Sequence, residues 1–103
     1  MEITELKDKA PVATALLKSL GNENRLMILC QLVDGEKSVN ELEALVGLRQ
    51  SALSQHLAIL RRENLVATRR KAQFIYYSLA STEARTIIEA LYSLYCAPKA
   101  ARA

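Results

Sequence analysis

Residues 49–62 constrain the fold more than any other part of this sequence, because they read as one helix with two different faces. Leu53, Leu57 and Leu60 recur at i, i+4 and i+7, which places them on one apolar stripe at helical period. The opposite side carries small or polar residues and no carboxylate; it is formed by Ser51, Gln55, Ala58 and Arg62. Such a surface suits contact with DNA, where Gln can bond adenine and Arg can pair with phosphate or guanine. An ordinary solvated helix surface is the alternative.

Positive charge is concentrated around this stretch. Residues 49–71 contain six basic residues and one acid, a net charge of +5, whereas residues 1–48 have a net charge of −3 and the whole chain is +3. A local excess of this kind is the electrostatic feature expected of a protein that binds a polyanion. It argues against a domain used only for contacts with other proteins.

A second, shorter helix is predicted just before this stretch. Ser38 and Glu41 have the spacing of a capping box, in which the serine side chain bonds the N3 amide and the glutamate reaches back to the cap. The helix ends at Gly47, and residues 47–49 turn into the next helix. This arrangement is a helix-turn-helix, whose second helix enters the major groove of DNA.

The pattern changes from helical to extended after Asn64. Residues 65–70 and 74–79 are rich in β-branched and aromatic residues with a period of two, and residues 71–73 join them. The sequence therefore predicts a β-hairpin with a basic tip. A hairpin that directly follows a helix-turn-helix is typical of a wing.

Three further helices complete the predicted fold. The first begins at Pro11 and ends at Gly21, although Pro11 could instead lie inside a longer helix. The second carries Cys30 on its apolar stripe, and the last begins after Ser81 and ends near Cys96. The predicted fold class is mostly α with a β-hairpin wing, a winged helix-turn-helix with four helices, two strands and a fifth helix in that order.

At 103 residues the chain is expected to be a single domain, with an ordered core over about residues 10–97 and a disordered C-terminus. No apolar run approaches the roughly 18 residues of a membrane span. The charged N-terminus lacks a signal-peptide pattern, so we expect a cytoplasmic protein without a membrane partner. In that compartment the two cysteines are expected to be reduced.

Residues 12–96 resemble the ArsR/SmtB family of small winged-helix repressors. Residues 20–29 resemble the family's second helix, residues 65–79 its wing and residues 50–61 its recognition helix, and the last of these matches is specific. The resemblance implies a homodimer built from the first and last helices, which binds an imperfect inverted repeat in double-stranded DNA and represses until an inducer acts. Arg49 departs from the serine of many relatives, and we expect it to contact phosphate.

The recognition helix and the wing together predict the DNA contacts. Gln50, Ser51, Ser54 and Gln55 are expected to face base edges, and the basic side chains to meet phosphates. For His56 we expect a partly packed ring that bonds a backbone group or phosphate. The predicted set is Arg49, Gln50, Ser51, Ser54, Gln55, His56, Arg62, Arg69, Arg70, Lys71 and Gln73.

Neither a metal site nor a cofactor is predicted. Arsenic- and lead-type members of the family carry a Cys-x-Cys pair before the recognition helix, where this chain has NELE at residues 40–43. Zinc-type members need several His and carboxylate ligands on the last helices, whereas the one histidine here, His56, lies in the recognition helix. A metal-responsive repressor is kept as the alternative.

The cysteines resemble those of the sulfide- and redox-responsive subgroup of BigR-, SqrR- and HlyU-type repressors. Cys30 lies on the second helix and Cys96 ends the last one. The resemblance implies that reactive sulfur species or oxidants link the two thiols and release the DNA. The alternative is that both cysteines are small buried hydrophobes. An enzyme is not expected, since a small thiol oxidoreductase would need a Cys-x-x-Cys motif, which this chain lacks.

Overall fold

The structure, a computed structural model, describes residues 1–96 and shows five helices and three strands in this part of the chain. They are α1 (Ile3–Leu20), α2 (Glu23–Leu32), β1 (Lys37–Ser38), α3 (Val39–Val46), α4 (Gln50–Arg62), β2 (Val66–Lys71), β3 (Phe74–Leu79) and α5 (Thr82–Tyr95). The predicted winged helix-turn-helix is confirmed. No helix within residues 1–96 is both long and apolar enough to cross a bilayer. The predicted end of the ordered core at residue 97 and the disordered C-terminus lie outside the described residues.

The first helix begins earlier than the sequence predicted. It starts at Ile3, where the Glu2 carboxylate accepts a hydrogen bond of 3.1 Å from the Thr4 N–H. Pro11 lies inside the helix and removes one donor from its ladder. The predicted start at Pro11 is therefore wrong, and its alternative, a proline inside a longer helix, is what the structure shows. The chain is already helical before residue 10, the predicted start of the ordered core.

The core is built around α4. Leu53, Leu57 and Leu60 are each at most 1% exposed, which confirms the predicted apolar stripe. Burying one such side chain contributes about 1.5–3 kcal/mol, so this face of α4 is fixed inward and the opposite face outward. The other helices supply the remaining fully buried large side chains, which are Ile28, Leu29, Leu32 and Leu42.

A third strand extends the predicted hairpin into a sheet with the order β1-β3-β2, antiparallel throughout. The hairpin itself pairs Lys71 with Phe74 at its tip, while β1 pairs Ser38 with Tyr76. With only two residues, β1 has no periodicity for a sequence pattern to reveal. It attaches the base of the wing to the start of α3.

Both ends of α3 are closed as predicted. Ser38 Oγ accepts from the Glu41 N–H at 3.2 Å, and the Ser38 N–H donates to Glu41 Oε1 at 2.9 Å. Gly47 ends the helix at φ +76°, a left-handed conformation that glycine adopts without the cost of a side chain. These two caps set where α3 stops and how the chain turns into α4.

Candidate DNA-binding surface and cysteine pair

The first two turns of α4 present four of the predicted contact residues to solvent. Gln50, Ser51, Ser54 and Gln55 are all exposed, because the buried leucines occupy the opposite side of the helix. The first turn contains no acidic residue. The positive end of the helix dipole lies at the N-terminus of α4, beside these donors and acceptors. Because no acidic residue offsets it there, this end of the helix favours an anionic partner.

Exposed arginines lie at both ends of α4. Arg49 is the N-cap residue, but its side chain makes no capping hydrogen bond. Arg61 and Arg62 lie in the last turn. Both line a groove of about 480 Å³, and Ser54 lines the same groove. Arg61 was not among the predicted contacts, although its position seven residues after Ser54 places it on the same side of the helix.

His56 is half-buried at the edge of the apolar stripe. Its Nδ1 atom is buried and has no hydrogen-bond partner within the described residues. The expected bond to a backbone group is therefore not made by Nδ1.

The wing places its basic residues on two faces. Successive side chains of a strand point to opposite sides of a sheet. In β2, Val66, Thr68 and Arg70 lie on the side that packs against the helices, and Arg69 and Lys71 lie on the outer side. The turn at the tip is formed by Ala72, at φ +56°, and Gln73. Arg70, Lys71 and Gln73 are all exposed there.

Arg69 is already engaged within the protein. Its Nε donates to Glu36 Oε2 at 3.2 Å, and its Nη2 forms an ion pair with Glu36 Oε1. Its guanidinium also lies 5.2 Å from the centre of the Tyr76 ring. The hydrogen bond from Arg69 lowers the pKa of the Glu36 carboxyl, and the same contact raises the pKa of Arg69. No local sequence pattern predicts this pair, because its members are 33 residues apart.

The two cysteines are free thiols in unequal surroundings. Cys30 is half-buried and packs against the core, whereas Cys96 is exposed at the C-cap of α5, where its N–H donates to the Tyr92 carbonyl at 2.7 Å. Burial raises the pKa of the Cys30 thiol, and the nearby charge of Cys96 raises it further. Cys30 and Cys96 lie on α2 and at the end of α5, two helices that pack against each other.

Within residues 1–96, no group of three or more His, Cys, Asp or Glu side chains is arranged to hold a metal ion.

Comparison with known proteins shows a close match to bacterial transcription regulators. Residues 22–68 match the family model described as bacterial regulatory protein, arsR family. The chain is 52% identical over 96 residues to the transcriptional activator HlyU of Vibrio cholerae, which covers 93% of this chain and 89% of the relative. It is 47% identical over 94 residues to the biofilm growth-associated repressor of Agrobacterium fabrum, with coverage of 91% and 80%. These relatives are transcription regulators and not enzymes.

Solved structures of such relatives have the same fold. The transcriptional repressor BigR from Xylella fastidiosa matches with a TM-score of 0.90 at 41% identity, covering 95% of this chain and all of the other. Reduced HlyU from Vibrio cholerae N16961 matches with a TM-score of 0.86 at 53% identity, covering 90% and 98%. One relative is called an activator and another a repressor, so similarity alone does not give the direction of regulation.

Proposed function

The chain belongs to the arsR family of bacterial regulatory proteins, and from that membership we propose that it is a homodimeric repressor that binds an imperfect inverted repeat in double-stranded DNA. Cys30 and Cys96 form its sensor, and their linkage by reactive sulfur species or an oxidant releases the DNA. Transcription regulation through DNA follows from the family. The direction of regulation, the dimer and the sensor are the proposed parts.

The outer face of α4 is the observation that carries the DNA contact. It is exposed, rich in Ser and Gln and without a carboxylate, and the basic wing follows it directly. Gln55 can bond adenine through two hydrogen bonds, which contributes about 1–3 kcal/mol of discrimination. The other side chains hold the phosphates and fix the register. These phosphate contacts are assigned to Arg49, His56, Arg62, Arg69, Arg70 and Lys71, with Gln73 close by.

Two exposed apolar helices support the dimer. In a single chain, α1 leaves Ile3, Leu6, Val12 and Leu17 between 51% and 71% exposed. On α5, Tyr92, Leu94 and Tyr95 are between 63% and 77% exposed. Large exposed apolar patches mark interaction surfaces, and a two-fold dimer covers the same patch on both copies. It also places two α4 helices for successive major grooves, about 34 Å apart.

The unequal exposure of the two thiols gives the sensor an order of reaction. Cys96 is exposed and accessible to an incoming reagent, while Cys30 is half-buried and burial raises the pKa of its thiol. Because a thiolate and not a thiol is the nucleophile, the raised pKa slows the reaction of Cys30, and the accessible Cys96 is modified first. This order favours linkage of the two cysteines over separate oxidation of each.

Linkage through a sulfane-sulfur donor needs no further oxidant. The Cys96 thiolate takes the outer sulfur of a persulfide R–S–S–H, which gives a Cys96 persulfide and the thiolate R–S⁻. The Cys30 thiolate then attacks the inner sulfur of that persulfide, the Cys30–Cys96 disulfide forms, and hydrosulfide leaves. The two thiols are oxidised and the sulfane sulfur is reduced. A peroxide gives the same bond through a sulfenic acid, with water as the leaving group.

The position of Cys30 connects the sensor to the DNA-binding surface. Cys30 lies on α2, and α2 packs against α3, α4 and α5. A bond to Cys96 ties α5, a helix of the proposed dimer interface, to α2 and hence to the support of α4. A linked form that prefers another spacing of the two α4 helices binds DNA more weakly by that difference in free energy. About 1.4 kcal/mol is enough for a tenfold loss.

The test begins with selection of duplexes from a random pool by the reduced protein. We expect recovery of an inverted repeat, and recovery of no preferred sequence would reject the DNA-binding surface. The Kd for the recovered duplex is then measured for the reduced protein, after a persulfide donor, and after re-reduction. We expect at least a tenfold reversible weakening, with the two cysteine peptides found linked by mass spectrometry.

Matched single variants separate the sensor from general damage by the donor. Cys30→Ser and Cys96→Ser should bind as tightly as the parent and keep that affinity after treatment. Linked cysteines with undiminished affinity would rule out the switch, and so would release of DNA by either variant. In cells, expression of a reporter under the recovered duplex should be low without inducer, because the reduced form represses.

A further inference from the structure

Arg69 crosses the sheet instead of pointing to its tip. The strand order is β1-β3-β2, and Arg69 on β2, Tyr76 on β3 and Ser38 on β1 form one row across it. The Arg69 side chain passes over the Tyr76 ring to reach Glu36, two residues before Ser38. Arg69 therefore connects β2 to the segment between α2 and β1.

The contact between Arg69 and Glu36 has the same geometry as a contact between arginine and a phosphate. Two nitrogens of the guanidinium meet the two oxygens of one carboxylate, and Arg pairs with carboxylate and phosphate through the same planar fork. Glu36 thus occupies the donors that Arg69 would offer to DNA. Its negative charge also lies next to that guanidinium, where it repels a phosphate.

The neighbouring arginine is placed differently. Arg70 faces the helix side of the sheet with Thr68 and the paired Ile75, and within residues 1–96 no acidic side chain forms an ion pair with it. Arg69 and Arg70, which are adjacent in β2, therefore have different surroundings. The sequence alone makes them look equivalent.

We propose that Glu36 withholds Arg69 from the DNA backbone, so that Arg69 is a positioning residue that holds the wing against the α2–β1 segment. This Glu36–Arg69 clasp persists when DNA is bound, and the wing neutralises phosphates through Arg70 and Lys71. The inference refines the proposed DNA contacts, which rest on the proposed function. It removes Arg69 from the predicted DNA contacts. It also adds Glu36 as a residue that affects how tightly the wing binds DNA.

A matched pair of variants tests the clasp through the dependence of affinity on salt. The slope of log K against log salt is negative, and each phosphate contact on duplex DNA adds about 0.9 to its magnitude, which is the quantity compared between the variants. Arg70→Met should lower the slope by about 1, whereas Arg69→Met should leave the slope unchanged and weaken binding about two- to fivefold, the range of an exposed ion pair. A slope lowered by about 1 in Arg69→Met would overturn the clasp.

Exchanging the charges of Arg69 and Glu36 tests the clasp independently. Arg69→Glu and Glu36→Arg alone each place like charges together, but the double variant restores an ion pair with the same net charge as the parent. We expect the double variant to recover the parent's salt slope and an affinity within about twofold of it. A double variant as weak as Arg69→Glu, with a lowered slope, would show that Arg69 itself meets DNA. Urea unfolding of each variant checks that the fold is retained.

The Arg70→Met control also distinguishes the proposed wing contact with DNA from the Glu36–Arg69 clasp. If Arg70→Met leaves the salt slope unaltered, the proposed wing contact fails, whatever the result at Arg69. The clasp is decided by the Arg69→Met slope and by the charge reversal, neither of which depends on Arg70.

Discussion

Arg85 Nη1 donates a hydrogen bond of 3.1 Å to the carbonyl oxygen of Val33. Arg85 lies in the first turn of α5, and Val33 is the C-cap of α2. The last carbonyls of a helix lack partners inside the helix and attract positive charge, and α2 has no basic residue in its own last turn. The residue that satisfies this helix end is thus supplied by α5, one turn of α2 after Cys30.

Loss of this bond should lower stability. We expect Arg85→Met, which keeps most of the apolar stem, to reduce the free energy of unfolding by about 1–2 kcal/mol, because a hydrogen bond to a charged group contributes about 1.5–3 kcal/mol and Arg85 is partly exposed. Urea unfolding should show a lower midpoint with an unchanged m-value. The control is Thr86→Ala, whose hydroxyl bonds only its own helix; equal midpoints for the two variants would contradict the role of Arg85.

The capping box of α3 should weaken in acid. The Ser38 N–H lowers the pKa of the Glu41 carboxyl, so the stabilisation is present above the ordinary pKa of a glutamate and is lost as pH falls through the lowered value. Glu41→Gln should therefore be less stable than the parent at pH 7, and this difference should shrink in acid. A difference that stays constant from neutral to strongly acidic pH would show that the charge of Glu41 is not involved.

Specific DNA binding should depend on Gln55 more than general binding does. Gln55→Ala removes a base contact, so we expect a loss of about 1–3 kcal/mol on the selected duplex and little change on a scrambled duplex. Arg62→Ala is the matched comparison, because a lost phosphate contact weakens both duplexes alike. Equal losses on both duplexes for Gln55→Ala would remove it from the base contacts.

The parts of the fold that sequence predicted are those fixed by local pattern. The leucines of α4 repeat at helical period, and the box at Ser38 and Glu41 needs only a spacing of three residues. The reading of Pro11 failed because proline is compatible both with a helix start and with a helix interior that loses one hydrogen bond. In the structure the helix interior is the position that Pro11 takes, and the helix is capped at Glu2, within a charged segment that carries only a weak start signal.

The parts that sequence could not predict depend on contacts between distant residues. The two residues of β1 are a strand only because they pair with β3. Arg69 and Arg70 look identical in sequence, and only the order of the strands brings Glu36 to one of them. For the cysteines, helix assignments place each thiol on its own element, but how near the two thiols lie depends on how α5 packs on α2.

Charge coupling between the two thiols should be measurable through the reactivity of Cys30. Its pKa is raised first by burial and then by the charge of Cys96. Cys96→Ser removes the second cause and keeps the first, so the pKa of Cys30 should fall towards, but not reach, its ordinary value. We expect the pH profile of Cys30 alkylation by iodoacetamide, followed on its peptide by mass spectrometry, to shift to lower pH in Cys96→Ser.

Ser93→Ala, an exposed change on the same helix, serves as the control and should leave the profile where it is in the parent. The measurement also bears on the sensor, because a direct disulfide requires Cα atoms within about 7 Å. Superimposable profiles for the parent and Cys96→Ser would mean that the two thiols are too far apart to influence each other's ionisation. A direct bond would then require α5 to move towards α2, and linkage would have to pass through a longer polysulfide bridge or follow such a movement.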